Sequence, residues 1–394
     1  MSDASTHLPA PEADEPRAGW FELFFDLVFV VTVSVLAHGL HGDPGPGDFA
    51  EFLLLFFPAW WAWANLTVTV NLFGSGRPRV QAMLLAAMPA LGLMAAASPE
   101  GLHERAWAYA LGAAWVRLVL FLIWWGHARA TDNPLPLWRP VLYCLVPATL
   151  WAVSAALPST ARFVLWGVAI VLEVVLLAVR TGLGTGPYDR LSVELLVERI
   201  GLFVVIVLGE SVFTVVVALE EHFVPAAGLT ALLAFVVVAE LAMIFFTWGT
   251  ENAAQGLTRA QSGHATRAMR DTVMYLPFVL VSGITVIAAA LGTAVDEPDH
   301  VLPAGARWAL CGGVLAFYTA NAAISMRYGD GVRRVLAWYL PCLVLTGGLL
   351  LPASVLLPAW AAVACAAALV FLLAKLSRHH IRARRGDGSR GDGS

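Results

Sequence analysis

The chain has 394 residues, 59% of them hydrophobic and only 13% charged, with a mean hydropathy of +0.74 and a formal net charge of −4. Soluble domains carry about 25% charged residues. An apolar excess of this size cannot be hidden in one water-facing core, which excludes a soluble globular protein and leaves an integral membrane protein with the lipid bilayer as its partner.

Residues 1–19 are polar and acidic (Asp3, Glu12, Asp14, Glu15), the reverse of the basic start of a signal peptide, and read as a disordered cytoplasmic arm. Polar residues, Pro and Gly then cut the chain into apolar stretches near 21–40, 49–73, 80–98, 105–127, 137–157, 162–181, 193–219, 226–249, 268–294, 306–326, 332–349 and 352–375. Most reach the ~20 residues that a ~30 Å hydrocarbon layer requires. Helix is the only form in which one such segment satisfies its own backbone polar groups, so an all-α polytopic protein of about twelve spans is expected. The last two spans are separated by LLPASVLLP, a short and greasy connection. The basic tail, 377–394, ends in RGDGSRGDGS and reads as disordered.

Lys and Arg follow this count. With the N-terminus inside, only Arg105, Arg162 and Arg307 fall in outer loops, and only Arg117 and Arg199 within spans, out of 24 basic residues. The remainder lie in cytoplasmic segments. The bias places both termini on the cytoplasmic side of the membrane.

An internal repeat is visible in spacings between rare residue types. Arg79–Pro89 matches Arg267–Pro277, Arg139–Pro147 matches Arg333–Pro341, and Pro147–Trp166 matches Pro341–Trp360. Two six-helix halves, 20–181 and 193–376, are expected, joined by a cytoplasmic linker at 182–192. Because six is even, both halves enter the membrane in the same sense, the parallel-repeat arrangement of some transporters. Prolines within spans (Pro58, Pro89, Pro147, Pro277, Pro341) free carbonyls and kink helices.

Ionisable groups at bilayer depth each cost ~2.5–3.5 kcal/mol on insertion scales and therefore face partners or water. Glu22, Asp26, Arg117, Glu173, Glu194, Glu198, Arg199, Glu210 and Glu240 are the ones found in the spans. Glu22 fits a helix start, where a carboxylate meets the positive dipole end. Asp26 is a turn deeper and walled by aromatics, and Arg199 is its most economical partner if spans one and seven meet. By depth, Arg117 can pair with Glu210 or Glu240. Gly209-Glu210-Ser211 suits close approach of a neighbouring helix or a permeant species.

Other chemistries are absent from the pattern. The four cysteines lie in apolar runs without CxxC spacing and read as packing residues. The ten His include no HExxH and no ligand pair, and no phosphate-binding glycine loop or GxSxG is present. No metal, cofactor, nucleic-acid partner or enzymatic activity is expected.

FELFFDLVFVV (21–31) with His38, VERIGLFVVIVLGES (197–211), WWAWAN (60–65) and FFTWGTEN (245–252) together resemble the bacterial low temperature requirement A family of multi-pass membrane proteins, over roughly 20–375. The family pattern has a His before the Leu-Pro pair of span nine, where this chain reads DTVMYLPF (271–278). The repeat, the kinked spans and the charges on spans one and seven point to a transporter or channel-like pore for an ion or small solute. Asp26, Glu22, Glu198, Arg199, Glu210, Ser211 and Glu240 would line or gate the path, with Arg117 as counter-ion. The alternative is a membrane sensor, scaffold or cold-adaptation factor whose buried charges only fix helix packing.

Overall fold

The computed structural model describes residues 19–74, 77–130, 138–178, 190–263 and 265–391. The arm expected before residue 19, most of the expected linker (182–189) and residues 392–394 lie outside the described residues. In chain order the helices are α1 (Trp20–His38), α2 (Pro46–Phe73), α3 (Pro78–Ala97), α4 (Ala106–Ala130) and α5 (Trp138–Pro140, a π turn Val141–Leu145, then Val146–Ser154). There follow α6 (Ser159–Ala178), α7 (Val193–Glu221) and α8 (Pro225–Ile244, extended by a π turn Phe245–Gly249 into Thr250–Ser262). The chain closes with α9 (Thr266–Arg270, a π turn Asp271–Tyr275, then Leu276–Asp296), α10 (Ala304–Arg327), α11 (Val332–Leu345, a π turn Thr346–Leu350, then Leu351–Leu356) and α12 (Ala359–Gly391).

Eleven of these helices are long and apolar enough to cross a membrane. The remaining one, α5, is helical where a span is expected but shorter. Between the last two spans the break falls at Leu357–Pro358, the last two residues of the LLPASVLLP connection, because α11 carries its helix through Leu356. The final helix also continues past 376 to Gly391.

Three of the π turns have one cause. Each ends two residues before a proline: Pro147, Pro277 and Pro352. A proline ring inside a regular helix clashes with the carbonyl four residues back and removes its donor. Widening the preceding turn by one residue relieves both, and Leu276 N accordingly bonds Asp271 O rather than Thr272 O. Pro58, Pro89 and Pro341 instead sit within regular α-helix.

Packing follows membrane rules, in which small residues rather than apolar burial bring helices together. Helices α9 and α10 cross at Gly283 and Gly313. A Cβ on Gly283 would sit 2.9 Å from Gly313 O, and one on Gly313 would sit 2.8 Å from Gly283 O. The α3–α4 crossing is similar, with a Cβ on Gly112 only 2.8 Å from Ala90 O. Large apolar side chains such as Phe213, Leu232 and Val171 remain outward-facing, as a hydrocarbon surround permits.

Candidate functional site

The first charged cluster forms where α1 and α7 meet. Glu22 and Asp26 are four residues apart, so they project from one face of α1. The start of α7 is fixed by α2: Asn71 Nδ2 donates to Ser192 O at 2.9 Å, and Ser192 N donates back to Asn71 Oδ1 at 2.9 Å. Ser192 also caps α7 by accepting from Leu195 N at 3.3 Å. Two turns on, Arg199 enters the α1 face. Its Nη2 donates to Asp26 Oδ1 at 2.7 Å, and its Nη1 lies 3.3 Å from Glu22 Oε2.

Trp63 of the WWAWAN stretch completes this cluster, with its indole N–H donating to the same Asp26 oxygen at 2.8 Å. Trp63 packs on Phe203 and Trp60, and Trp60 Nε1 reaches Met274 O in the π turn of α9 at 2.7 Å. Asp26 is fully buried, and Arg199 is 2% exposed. Two carboxylates therefore face one guanidinium, and Asp26 Oδ2 is enclosed without a hydrogen-bond partner. With both acids ionised, the cluster holds a surplus negative charge in a dry place, which is costly unless a proton or cation answers it.

The second polar region lies further along the same two helices. Ser34 donates to Glu210 Oε1 across the α1–α7 interface. Together they line a cavity of about 210 Å³ with His38, His41, Glu221 and Asp296. Asp26 and Ser34 are eight residues apart on α1, about 12 Å at helical rise. The stretch between is buried and mostly apolar, with Phe29, Val30 and Val33 from α1 and Phe203, Val204 and Val207 from α7. It also holds the buried hydroxyl of Thr32, which has no hydrogen-bond partner.

The mouth of this cavity is built by loops. Gly42 (φ +79°) turns the chain after α1, and its N–H donates to Thr293 Oγ1 at 2.9 Å. Asp43 Oδ1 accepts from Gly305 N at 2.6 Å. These bonds hold His41 against the end of α9, with Nε2 at 3.4 Å from Asp296 Oδ2. His222 Nδ1 approaches the other Asp296 oxygen at 3.6 Å. Burial pushes the His41 imidazole below its ordinary value, and Asp296 only partly offsets this.

Several residues stand elsewhere than the sequence suggests. Arg117 reaches neither Glu210 nor Glu240. It forms a two-point pair with Glu173 of α6, Nε–Oε1 at 2.7 Å and Nη2–Oε2 at 2.8 Å, beneath the Trp151 ring. Depth is only one coordinate. Helix α4 packs on α2, α3 and α5, and the Arg117 side chain turns to Glu173 of α6. Glu240 is buried on α8, with Oε2 enclosed and without a hydrogen-bond partner. Ser211 is buried and donates to Val207 O of its own helix at 3.0 Å, and is not among the cavity's lining residues. A Cβ on Gly209 would meet nothing within 4 Å, so no neighbouring helix approaches there. Glu198 is half-buried on α7 beside Arg199, and Glu194 is exposed.

Residues missed by sequence reasoning are Trp63, Ser34, His41, Glu221, His222 and Asp296. Ser34 and Glu210 had a signal. Each lies two to three turns deeper than the Asp26–Arg199 contact on its helix, eight residues on α1 and eleven on α7. The mouth residues had none, because loop folding brings them together.

The sequence profile of the bacterial low temperature requirement A protein (LtrA) family matches residues 17–374. An uncharacterized protein of Rhizobium meliloti (strain 1021) is 28% identical over 330 residues, covering 80% of this chain and 79% of that one. With the helical membrane architecture and a matched stretch spanning nearly all of it, the chain belongs to the LtrA family of bacterial membrane proteins.

Proposed function

We propose that the chain is a membrane transport protein, a transporter or channel-like pore for an ion or small solute, whose path follows the α1–α7 interface. The observation that carries this reading is the order of groups along that interface. A cavity lined by Glu210, Glu221 and Asp296 opens at one end, an apolar stretch follows, and a buried cluster with a surplus carboxylate lies beyond it. Carboxylates at both ends favour a cation, and intramembrane carboxylates of this kind mark ion and proton paths. No enzymatic step is assigned.

The two-half architecture is part of the proposal. Asp26 meets Arg199 near the start of both helices, and Ser34 meets Glu210 further along both, so α1 and α7 run side by side in the same direction. Two parallel neighbours at one level need an even number of crossings between their starts. Counting α5 as a crossing satisfies this and makes twelve spans with both termini on one side, which the Lys/Arg bias assigns to the cytoplasm; the membrane proposed is the inner one. Equivalent neighbours also recur: α1 packs on α3 as α7 packs on α9, and glycine crossings join α3 to α4 and α9 to α10.

The test is flux. Full-length protein in liposomes is expected to move protons or a monovalent cation above the level of empty liposomes, and Glu210→Gln to remove that movement. No flux above empty liposomes across a panel of ions and small solutes overturns transport. That result favours a sensor or scaffold, the reading supported by Arg117–Glu173, a sealed ion pair away from the cavity.

A further inference from the structure

The cavity mouth gathers nitrogen and oxygen donors from three segments: the loop after α1, the end of α7 and the end of α9. We propose that Glu221, His222 and Asp296, with His41 against the second oxygen of Asp296, form a binding site for a first-row divalent transition cation of the Zn²⁺ type. The proposal concerns binding alone and stands apart from transport.

Geometry is the first argument. An ion holding N and O ligands at ~2.0–2.1 Å in tetrahedral arrangement separates them by about 3.3–3.4 Å. The structure has His41 Nε2 at 3.4 Å and His222 Nδ1 at 3.6 Å from the two Asp296 oxygens. Donor atoms of Glu221, His222 and Asp296 all lie within 4.8 Å of one another, and His41 joins this trio through Asp296. These spacings exceed the 2.7–3.2 Å of an ordinary N–H···O hydrogen bond. Asp296 Oδ1 is also enclosed without a hydrogen-bond partner.

Construction of the site is the second, independent argument. Gly292 lies one helical turn before Asp296, and a Cβ there would sit 2.4 Å from His41 Cε1 and 2.6 Å from its Nε2. The bare glycine is what lets the imidazole lie against α9 and reach the aspartate. Thr293, next in sequence, holds the backbone of the His41 loop through Gly42 N. Such outer contacts orient a ligand ring before the ion arrives. Donor chemistry selects the ion: two imidazoles suit Zn²⁺ and its neighbours, whereas Mg²⁺ and Ca²⁺ prefer oxygen alone.

The experiment uses full-length protein in detergent, with His379 and His380 replaced by Gln throughout to remove the tail's own pair. Isothermal titration with Zn²⁺ is expected to show one site per chain, and Co²⁺ to give visible absorption bands of a low-coordinate N/O site. Asp296→Asn and His222→Ala are each expected to weaken Zn²⁺ binding by at least about ten-fold. His222 is 56% exposed, so its replacement leaves the fold intact, which an unchanged unfolding midpoint checks. The absence of Zn²⁺ binding overturns the proposal. Equal binding by the variants and the parent, or Ca²⁺ and Mg²⁺ binding as tightly as Zn²⁺, does so too.

Discussion

Replacing Arg199 by Met removes the single cation from a site with two acids. Nη2 of Arg199 lies 2.7 Å from Asp26 in a pocket where the arginine is 2% exposed and the aspartate fully buried. Removing one partner of a buried pair typically costs about 3–5 kcal/mol, because the other charge is left unanswered. Asp26→Asn breaks the same pair, and the double variant removes both of its charges at once, leaving only the Glu22 carboxylate. The double variant is therefore expected to be less destabilised than the sum of the singles, by about 2 kcal/mol or more. Glu22 is 3.3 Å from Arg199 and part of the surplus charge, so Glu22→Gln is expected to cost under about 1 kcal/mol. The assay is unfolding of purified protein in mixed micelles with increasing SDS, followed by tryptophan fluorescence. Additivity of Arg199→Met and Asp26→Asn within about 0.5 kcal/mol refutes the reasoning, since distant independent sites behave in that way.

The second buried pair predicts a matching pattern. Arg117→Met is expected to destabilise by about 3–5 kcal/mol, and adding Glu173→Leu to recover most of it, because two apolar side chains replace two buried charges. Trp63→Phe keeps the ring but loses the donor to Asp26 and is expected to cost about 1.5–3 kcal/mol in the same titration. Gly283→Ala places a Cβ 2.9 Å from a backbone oxygen that cannot rotate away, so α9 and α10 must separate, at about 1–3 kcal/mol of stability. A thermal melt by circular dichroism shows this as a lowered midpoint.

Composition and periodicity alone determine that this is a helical membrane protein, and the positions of its helices follow closely from where Pro, Gly and polar residues interrupt apolar runs. The Asp26–Arg199 contact is also legible. A carboxylate too deep for a helix start needs a cation at its own level, and the chain supplies Arg199 at that level in a helix of matching sense. Arg117 shows the limit of that logic. Its depth suits Glu210 and Glu240, but depth says nothing of which helices adjoin, and tertiary packing brings α6 and Glu173 instead. The cavity mouth lies further still from the sequence. His41, His222 and Asp296 belong to no spaced motif, and they meet only because Gly42 turns the first loop back, Thr293 holds it and Gly292 leaves room for the ring. Burial cost is a property of each residue and is written in the sequence. Lateral adjacency is a property of the assembled bundle, and only the folded chain decides it.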